Sequence, residues 1–152
     1  MNNQITLALL GAGGKMGCRV TDHLKDNPAY SVLCVEPSDA GLANLAARGL
    51  KPTPCEAALA QANAVILALP DRLLGQVARE VVPQVNPGAL VMTLDPAAAH
   101  AGELPVRADL GYFVSHPCHP NVFDHFQTDA EINDFFGGTH ARQAIVCALM
   151  HG

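Results

Sequence analysis

The chain has 152 residues, of which 49% are apolar and 15% charged, a composition that suits one globular domain and excludes a disordered chain. Nine basic and fourteen acidic residues give a net charge of −5. Because the basic residues are also scattered, binding to nucleic acid or to an anionic membrane is disfavoured. No uncharged apolar run approaches the roughly 18 residues of a membrane span, and the N-terminus lacks signal-peptide features. Five scattered cysteines without a Cys-x-x-Cys pair predict reduced thiols in a cytoplasmic protein.

In the first part of the chain, short apolar runs alternate with helical patterns. The predicted strands are 5–10, 31–35, 64–69 and 89–94, and the predicted helices are 15–25, 40–48, 54–61 and 72–82. Runs that are apolar at every position are typical of strands covered on both faces, as in a parallel sheet. The alternation therefore predicts an α/β fold of the Rossmann type: a doubly wound, mostly parallel sheet with right-handed crossovers and helices on both faces.

The alternation becomes less regular after Pro96. A short helix at 97–101, a strand at 111–115 and a final strand at 143–150 are predicted there. The last run could also be a buried helix, but its shortness, its Ile-Val pair and the bounding glycines favour a strand. Between the last two strands, 116–138 is predicted to be a long loop, and loops of that length in a compact domain tend to be functional.

A glycine-rich turn lies between the first strand and the first helix. Gly11 allows the tight turn, and Gly13 or Gly14 lets backbone N–H groups approach a pyrophosphate. Gly17 allows close packing of the helix, whose N-terminus adds unpaired N–H groups and a positive dipole end. The spacing differs from plain Gly-x-Gly-x-x-Gly and fits Gly-x-x-Gly-x-x-Gly as well. This context predicts a dinucleotide site, and the alternative is a flexible turn without a ligand. The candidate residues are Gly11, Ala12, Gly13, Gly14, Lys15, Met16 and Gly17.

Glu36 at the end of the second strand bears on the choice of dinucleotide. An acidic residue there can accept both ribose hydroxyls of an adenosine and repels a 2′-phosphate. No Arg or Lys lies between Glu36 and Arg48 to neutralise that phosphate. NAD is therefore predicted rather than NADP, and the alternative is a solvated charge at a strand end.

Further polar residues follow the third and fourth strands, at the edge of the sheet where open α/β folds bind ligands. Leu69 and Pro70 are expected beside a ribose of the cofactor. Asp71 is counted with them, although it is expected to cap the next helix rather than to act in catalysis. Asp95 is either a turn residue or a pocket residue, and the sequence does not separate the two.

The segment His-Pro-Cys-His-Pro-Asn at 116–121 follows a strand, so its side chains are expected at the same edge. Two prolines stiffen it, and histidine can take the proton lost when an alcohol is oxidised. His116, His119 and Asn121 are therefore candidates for catalysis or substrate binding. Zinc held by His116, Cys118 and His119 is an alternative, but no fourth ligand is evident, so no metal site is predicted. Plain loop structure is the third alternative.

Four motifs together resemble a known family. They are Gly-Ala-Gly-Gly-Lys-Met-Gly (11–17), Leu-Asp-Pro-Ala-Ala-Ala (94–99), His-Pro-Cys-His-Pro (116–120) and Gln-Ala-Ile-Val-Cys-Ala-Leu-Met (143–150). The combination is similar to the N-terminal half of the bacterial NAD-dependent group labelled phosphogluconate dehydrogenase-like, which includes the D-apionate oxidoisomerases. The resemblance covers essentially the whole chain and implies a Rossmann domain followed by a helical domain, absent here, that dimerises and completes the active site. Asn121 departs from the family, which favours proline there.

These observations lead to one expected reading. The chain is a single dinucleotide-binding domain, with a core half at 1–96 and a substrate-side half at 97–152. It belongs to an NAD-dependent oxidoreductase, a homodimer acting on a sugar acid or related hydroxy acid, and the resemblance adds a coupled isomerisation. His116 or His119 serves as base or substrate anchor, and this chain alone binds cofactor with little turnover. The alternative is a module that senses NAD(H) without catalysis.

Overall fold

The computed structural model describes residues 4–117, 125–134 and 140–151. Their strands are β1 (Ile5–Leu10), β2 (Tyr30–Val35), β3 (Ala64–Leu67), β4 (Leu90–Thr93), β5 (Gly111–Pro117) and β6 (Ile145–His151). Their helices are α1 (Lys15–Leu24), α2 (Asp39–Ala47), α3 (Cys55–Leu59), α4 (Asp71–Val81), α5 (Ala97–His100) and α6 (Asp129–Ile132), with a 3-10 turn at Val82–Gln84. No helix in these ranges has the length and apolar character needed to cross a membrane.

The strands form one sheet in the order β2-β1-β3-β4-β5-β6. The first five strands in this order are parallel, and β6 runs antiparallel to β5. The predicted doubly wound, mostly parallel sheet is therefore confirmed. The chain leaves β1 towards β2 on one side and returns to β3 on the other, which opens a crevice beyond the carboxyl ends of β1 and β3.

Apolar clusters cover both faces of the sheet. The strands β1, β2, β3 and β4 each contribute to both clusters, because successive strand residues point to opposite sides of the sheet. In β1, Leu7 and Leu9 pack in a cluster that includes Leu45 of α2 and has Val20 of α1 against it. Ala8 and Leu10 face the other way, into a cluster with residues of α3, α4 and α5. The uniformly apolar character of the strand follows from this double burial.

The edge strand β6 is different, since its side chains remain exposed on both faces. Ile145, Val146 and Leu149 keep 60%, 66% and 70% of their surface in solvent. The strand predicted at 143–150 is confirmed as β6. Although its sequence is apolar, its side chains are not buried by the other described residues.

The segment predicted as a loop at 116–138 contains more structure than expected. β5 extends through His116, so the histidine motif starts within a strand. Farther on, α6 begins with a capping box in which Thr128 and Glu131 hydrogen-bond each other's backbone N–H groups. Ser or Thr followed three residues later by Glu is a recognisable helix start, and this signal was present in the sequence. Residues 118–124 and 135–139 lie outside the described residues.

Candidate functional site

A cavity of about 390 Å³ lies at the carboxyl edge of the sheet, beside the crevice between β1 and β3. It is lined by residues 14–16 after β1, residues 68–71 after β3, Leu94 and Asp95 after β4, and His116 of β5. This volume is in the range of small-molecule sites. The fold thus brings together Gly14, Pro70 and His116, which are far apart in the chain. β3 and β4 end earlier than predicted, and the residues just beyond their ends help to line the cavity.

The glycine turn, residues 11–17, is shaped by very close approaches of backbone. Gly11 has a φ of 77°, and a Cβ there would lie 2.4 Å from the carbonyl oxygen of Ala68. A Cβ on Gly17 would lie 2.1 Å from the Gly11 oxygen, so α1 packs directly on the turn. Both positions therefore require glycine for the geometry that joins β1, β3 and α1.

Gly14 is the glycine of this turn that lines the cavity. It occupies the N-cap of α1 and makes no side-chain cap. A Cβ on Gly14 would have only the oxygens of Gly11, at 3.2 Å, and Ala68, at 4.0 Å, within 4 Å. The first N–H groups of a helix have no partner within the helix, so this end of α1 suits an anion.

Gly13 has a different role from Gly14. A Cβ on Gly13 would lie 2.2 Å from the oxygen and 2.4 Å from the Cα of Gly41 in α2. The Gly13 carbonyl accepts a hydrogen bond from Asn44 Nδ2 at 2.8 Å, and its N–H donates to Glu36 Oε2 at 2.9 Å. Its lack of a side chain serves the packing of α2, and it does not line the cavity. Ala12 and Gly17 also lie outside the lining.

The Glu36 carboxylate accepts three hydrogen bonds from the protein and is not simply a solvated charge at a strand end. Besides the bond from Gly13, its Oε1 accepts from the Ser38 N–H at 3.0 Å and from Ser38 Oγ at 2.7 Å. The nearest downstream basic residue, Arg48, is bound by Asp22, with Nε and Oδ1 2.8 Å apart. The Glu36 carboxylate therefore lies beside the glycine turn, and Arg48 does not neutralise it because Arg48 is paired with Asp22.

Asp95 belongs both to a turn and to the cavity, which answers the question that the sequence left open. Its Oδ1 accepts the Ala97 N–H at 2.7 Å, and its Oδ2 lies 3.4 Å from His116 Nδ1. The expectation that Asp71 caps α4 is wrong. The cap position is Pro70, which makes no side-chain hydrogen bond, and Asp71 is the first residue of the helix and lines the cavity. An acid in the first turn is favoured by the helix dipole.

His116 is the member of the histidine motif whose side chain the structure describes. His119, Cys118 and Asn121 lie outside the described residues, so their predicted roles, and the zinc alternative that needs two of them, stay predictions. Within residues 4–117, 125–134 and 140–151, no group of three His, Cys, Asp or Glu side chains could hold a metal ion.

The described cysteines are free thiols: Cys18, Cys34, Cys55 and Cys147. Burial raises the pKa of the Cys18, Cys34 and Cys55 thiols, which keeps them protonated and unreactive at neutral pH. None of these cysteines lines the cavity.

Comparison with curated proteins finds relatives that share one name. The chain is similar to D-apionate oxidoisomerases. It is 49% identical over 148 residues to the protein from Cupriavidus necator, which covers 96% of this chain and 53% of that protein. It is 42% identical over 150 residues to the protein from Blautia hydrogenotrophica, covering 98% and 52%. The predicted resemblance is confirmed, and the chain spans about half the length of these relatives. No family model matches the chain.

Solved structures agree with this similarity. A crystal structure of a semialdehyde dehydrogenase NAD-binding protein from Cupriavidus necator, in complex with calcium and NAD, superposes with a TM-score of 0.85 at 47% identity. The match covers 98% of this chain and 54% of that one. An NADH-preferring ketol-acid reductoisomerase from an uncultured archaeon has a TM-score of 0.64 at 18% identity, over 74% of this chain and 36% of that one. The second likeness concerns the fold alone.

Proposed function

We propose that this chain is the NAD-binding part of an NAD-dependent oxidoreductase that acts on a sugar acid or related hydroxy acid. The observation that carries the proposal is the cavity that joins the glycine turn, the residues after β3 and β4, and His116. The similarity to D-apionate oxidoisomerases over 96–98% of the chain supports the substrate class and adds an isomerisation coupled to oxidation.

The residues present fit a dinucleotide. Gly14, at the N-terminus of α1, lines the cavity without a side chain, so a phosphate can approach the backbone there. Lys15 and Met16 line the same cavity. We assign the pyrophosphate to this end of α1, because the first N–H groups of a helix have no acceptor within the helix and the positive dipole end lies there. Leu69, Pro70 and Asp71 line the part of the cavity assigned to the nicotinamide ribose. When bound, the nicotinamide supplies the hydride acceptor.

Glu36 selects NAD over NADP in this proposal. Its carboxylate is held beside Gly13 and Ser38, and Oε2, which accepts one hydrogen bond, can accept a second from a ribose hydroxyl. A 2′-phosphate at the same place would meet a like charge in a part-buried position, which costs several kcal/mol by typical estimates. Arg48 cannot offset that charge while it is paired with Asp22.

His116 is the proposed proton acceptor for a substrate hydroxyl. Its side chain lies in the same cavity as Lys15 and Asp95 and is 49% exposed, so a substrate can reach it. A base at this place takes the hydroxyl proton as the alcohol becomes a carbonyl. His119 and Asn121 are proposed to act from the same segment.

We further propose that the protein is a cytoplasmic homodimer. The exposed apolar side chains of β6, an edge strand with a free side, support association. The free thiols support a reducing compartment. Equilibrium sedimentation is expected to give twice the chain mass, and a monomer at high concentration would contradict the dimer.

The second candidate function is an NAD(H)-binding module without catalysis. The observation that favours it is the half-exposed His116, since catalysis needs a site from which water is excluded. The two candidates separate in one experiment. The chain is titrated calorimetrically with NAD and NADP, and the protein is then incubated with NAD and a panel of sugar acids while NADH absorbance is followed. Tighter NAD binding is expected, and NADP binding at equal or higher affinity would overturn the cofactor assignment. The activity assay uses a chain extended to the length of the relatives. NADH formation with any sugar acid identifies an enzyme, and no NADH formation across the panel identifies a binding module.

A further inference from the structure

The side chain of Asp95, in the turn after β4, meets the side chain of His116 in β5. β4 and β5 are parallel neighbours in which Thr93 lies opposite Val114. Continuing this register by two residues places Asp95 beside His116, and the two side chains approach to 3.4 Å between Oδ2 and Nδ1. The pairing therefore follows from the register of two neighbouring strands, continued into the turn that holds Asp95.

Asp95 is itself held from the side away from His116. Its Oδ1 accepts the N–H of Ala97, the first residue of α5, at 2.7 Å, and its backbone carbonyl accepts from Thr93 Oγ1 at 2.9 Å. Thr93 is buried, with 1% of its surface exposed. One carboxylate oxygen thus anchors the turn, and the other is directed to the imidazole.

A carboxylate can only accept hydrogen bonds, whereas a neutral imidazole has one donor nitrogen and one acceptor nitrogen. An Asp beside Nδ1 favours the tautomer that carries its proton on Nδ1, and this leaves the lone pair on Nε2.

We propose that Asp95 is a positioning residue that fixes His116 in the Nδ1–H tautomer, so that Nε2 is the atom that accepts the substrate's hydroxyl proton. The inference deepens the proposed function and rests on it for the role of Nε2. The tautomer itself is a property of this chain and can be measured without substrate or cofactor.

Asp95→Asn separates this role from a purely structural one. The amide oxygen of Asn can still accept the Ala97 N–H, and Asn is well suited to such turns. The atom facing His116 becomes an NH₂ group, which donates and cannot accept from Nδ1–H. A structural role predicts no change at His116, whereas the positioning role predicts that the imidazole proton moves to Nε2.

The experiment is NMR of the chain labelled with ¹⁵N in histidine, at a pH where the rings are neutral. Long-range ¹⁵N–¹H correlations distinguish the two tautomers, and loss of one signal set in His116→Gln assigns His116. The expected result is Nδ1–H in the parent chain and mainly Nε2–H in Asp95→Asn, with His100, an exposed residue of α5, unchanged in both. An Nε2–H tautomer in the parent chain, or the same tautomer in parent and variant, overturns the proposal. If Asp95→Asn does not fold, the parent spectrum alone decides.

Calorimetric titration of the parent chain with NAD keeps the two proposals apart. Failure of the parent chain to bind NAD would refute the proposed function and leave the tautomer result standing. The same tautomer in parent and variant, with NAD bound by the parent, would refute only the positioning role.

Discussion

Neighbouring glycines in the turn are expected to respond in opposite ways to the same substitution. Gly13→Ser places a Cβ about 2.2 Å from the Gly41 oxygen, so α2 must move away from the turn. Overpacking of this kind typically costs about 1–3 kcal/mol. At about 2–4 °C per kcal/mol for a domain of this size, the melting temperature should fall by roughly 2–12 °C.

Gly14→Ser should instead leave stability nearly unchanged. Its Cβ meets the Gly11 oxygen at 3.2 Å, and serine is among the preferred residues at a helix N-cap, the place that Gly14 occupies. The new hydroxyl would accept an N–H of the first turn of α1, one of the groups assigned to the pyrophosphate. Losing one hydrogen bond to a charged group costs about 1.5–3 kcal/mol, so NAD should bind roughly ten- to a hundredfold more weakly.

Thermal melting by circular dichroism and calorimetric titration with NAD measure the two effects separately. Gly49→Ser is a useful control for NAD binding, because Gly49 does not line the cavity and nothing lies within 4 Å of a Cβ there, although its φ of 70° makes the variant somewhat less stable. NAD binding by Gly14→Ser as tight as that of the parent chain would refute the assignment of the pyrophosphate to this end of α1. A Gly13→Ser variant that melts at the parent temperature would refute the packing role of Gly13.

Other predictions concern cofactor choice, a buttressing arginine and a helix cap. Glu36→Ser should lower the preference for NAD over NADP at least tenfold in paired titrations, because the like charge is removed; an unchanged ratio would contradict the assignment. Arg107→Met should lower the melting temperature by roughly 3–12 °C, since Nη1 donates to the carbonyls of Val82 at 2.8 Å and Val85 at 2.7 Å, whereas exposed Arg142→Met should have little effect. Backbone N–H groups of Gln127 and Thr128 lower the pKa of Glu131, so the capping box stabilises α6 above the ordinary glutamate pKa and loses this effect as pH falls through the lowered value. The protection factors of the α6 amides, which are corrected for the intrinsic pH dependence of exchange, should fall over that range in the parent chain and should show no such fall in Glu131→Gln.

Much of the fold follows from local patterns. The apolar runs at 5–10 and 64–69 mark strands because both faces of these strands are buried, and Gly11 and Gly17 mark a turn whose close backbone approaches require glycine at both positions. The capping box at Thr128 can also be read from the sequence, but the helix that it starts spans only Asp129–Ile132, which is too short for the apolar periodicity that marks a helix.

Which residues meet, however, depended on the order of the strands. Gly13 and Gly14 are equivalent in the sequence, and only the position of α2 makes one a packing contact and the other a cavity residue. In the same way, Asp95 could be a turn residue or a pocket residue until the parallel register of β4 and β5 placed it beside His116. The sequence determined the elements and the glycine turn, because backbone sterics and burial act locally. The tertiary structure decided the partners of Glu36, Asp95 and His116, because hydrogen bonds between distant segments depend on how the strands are arranged in the sheet.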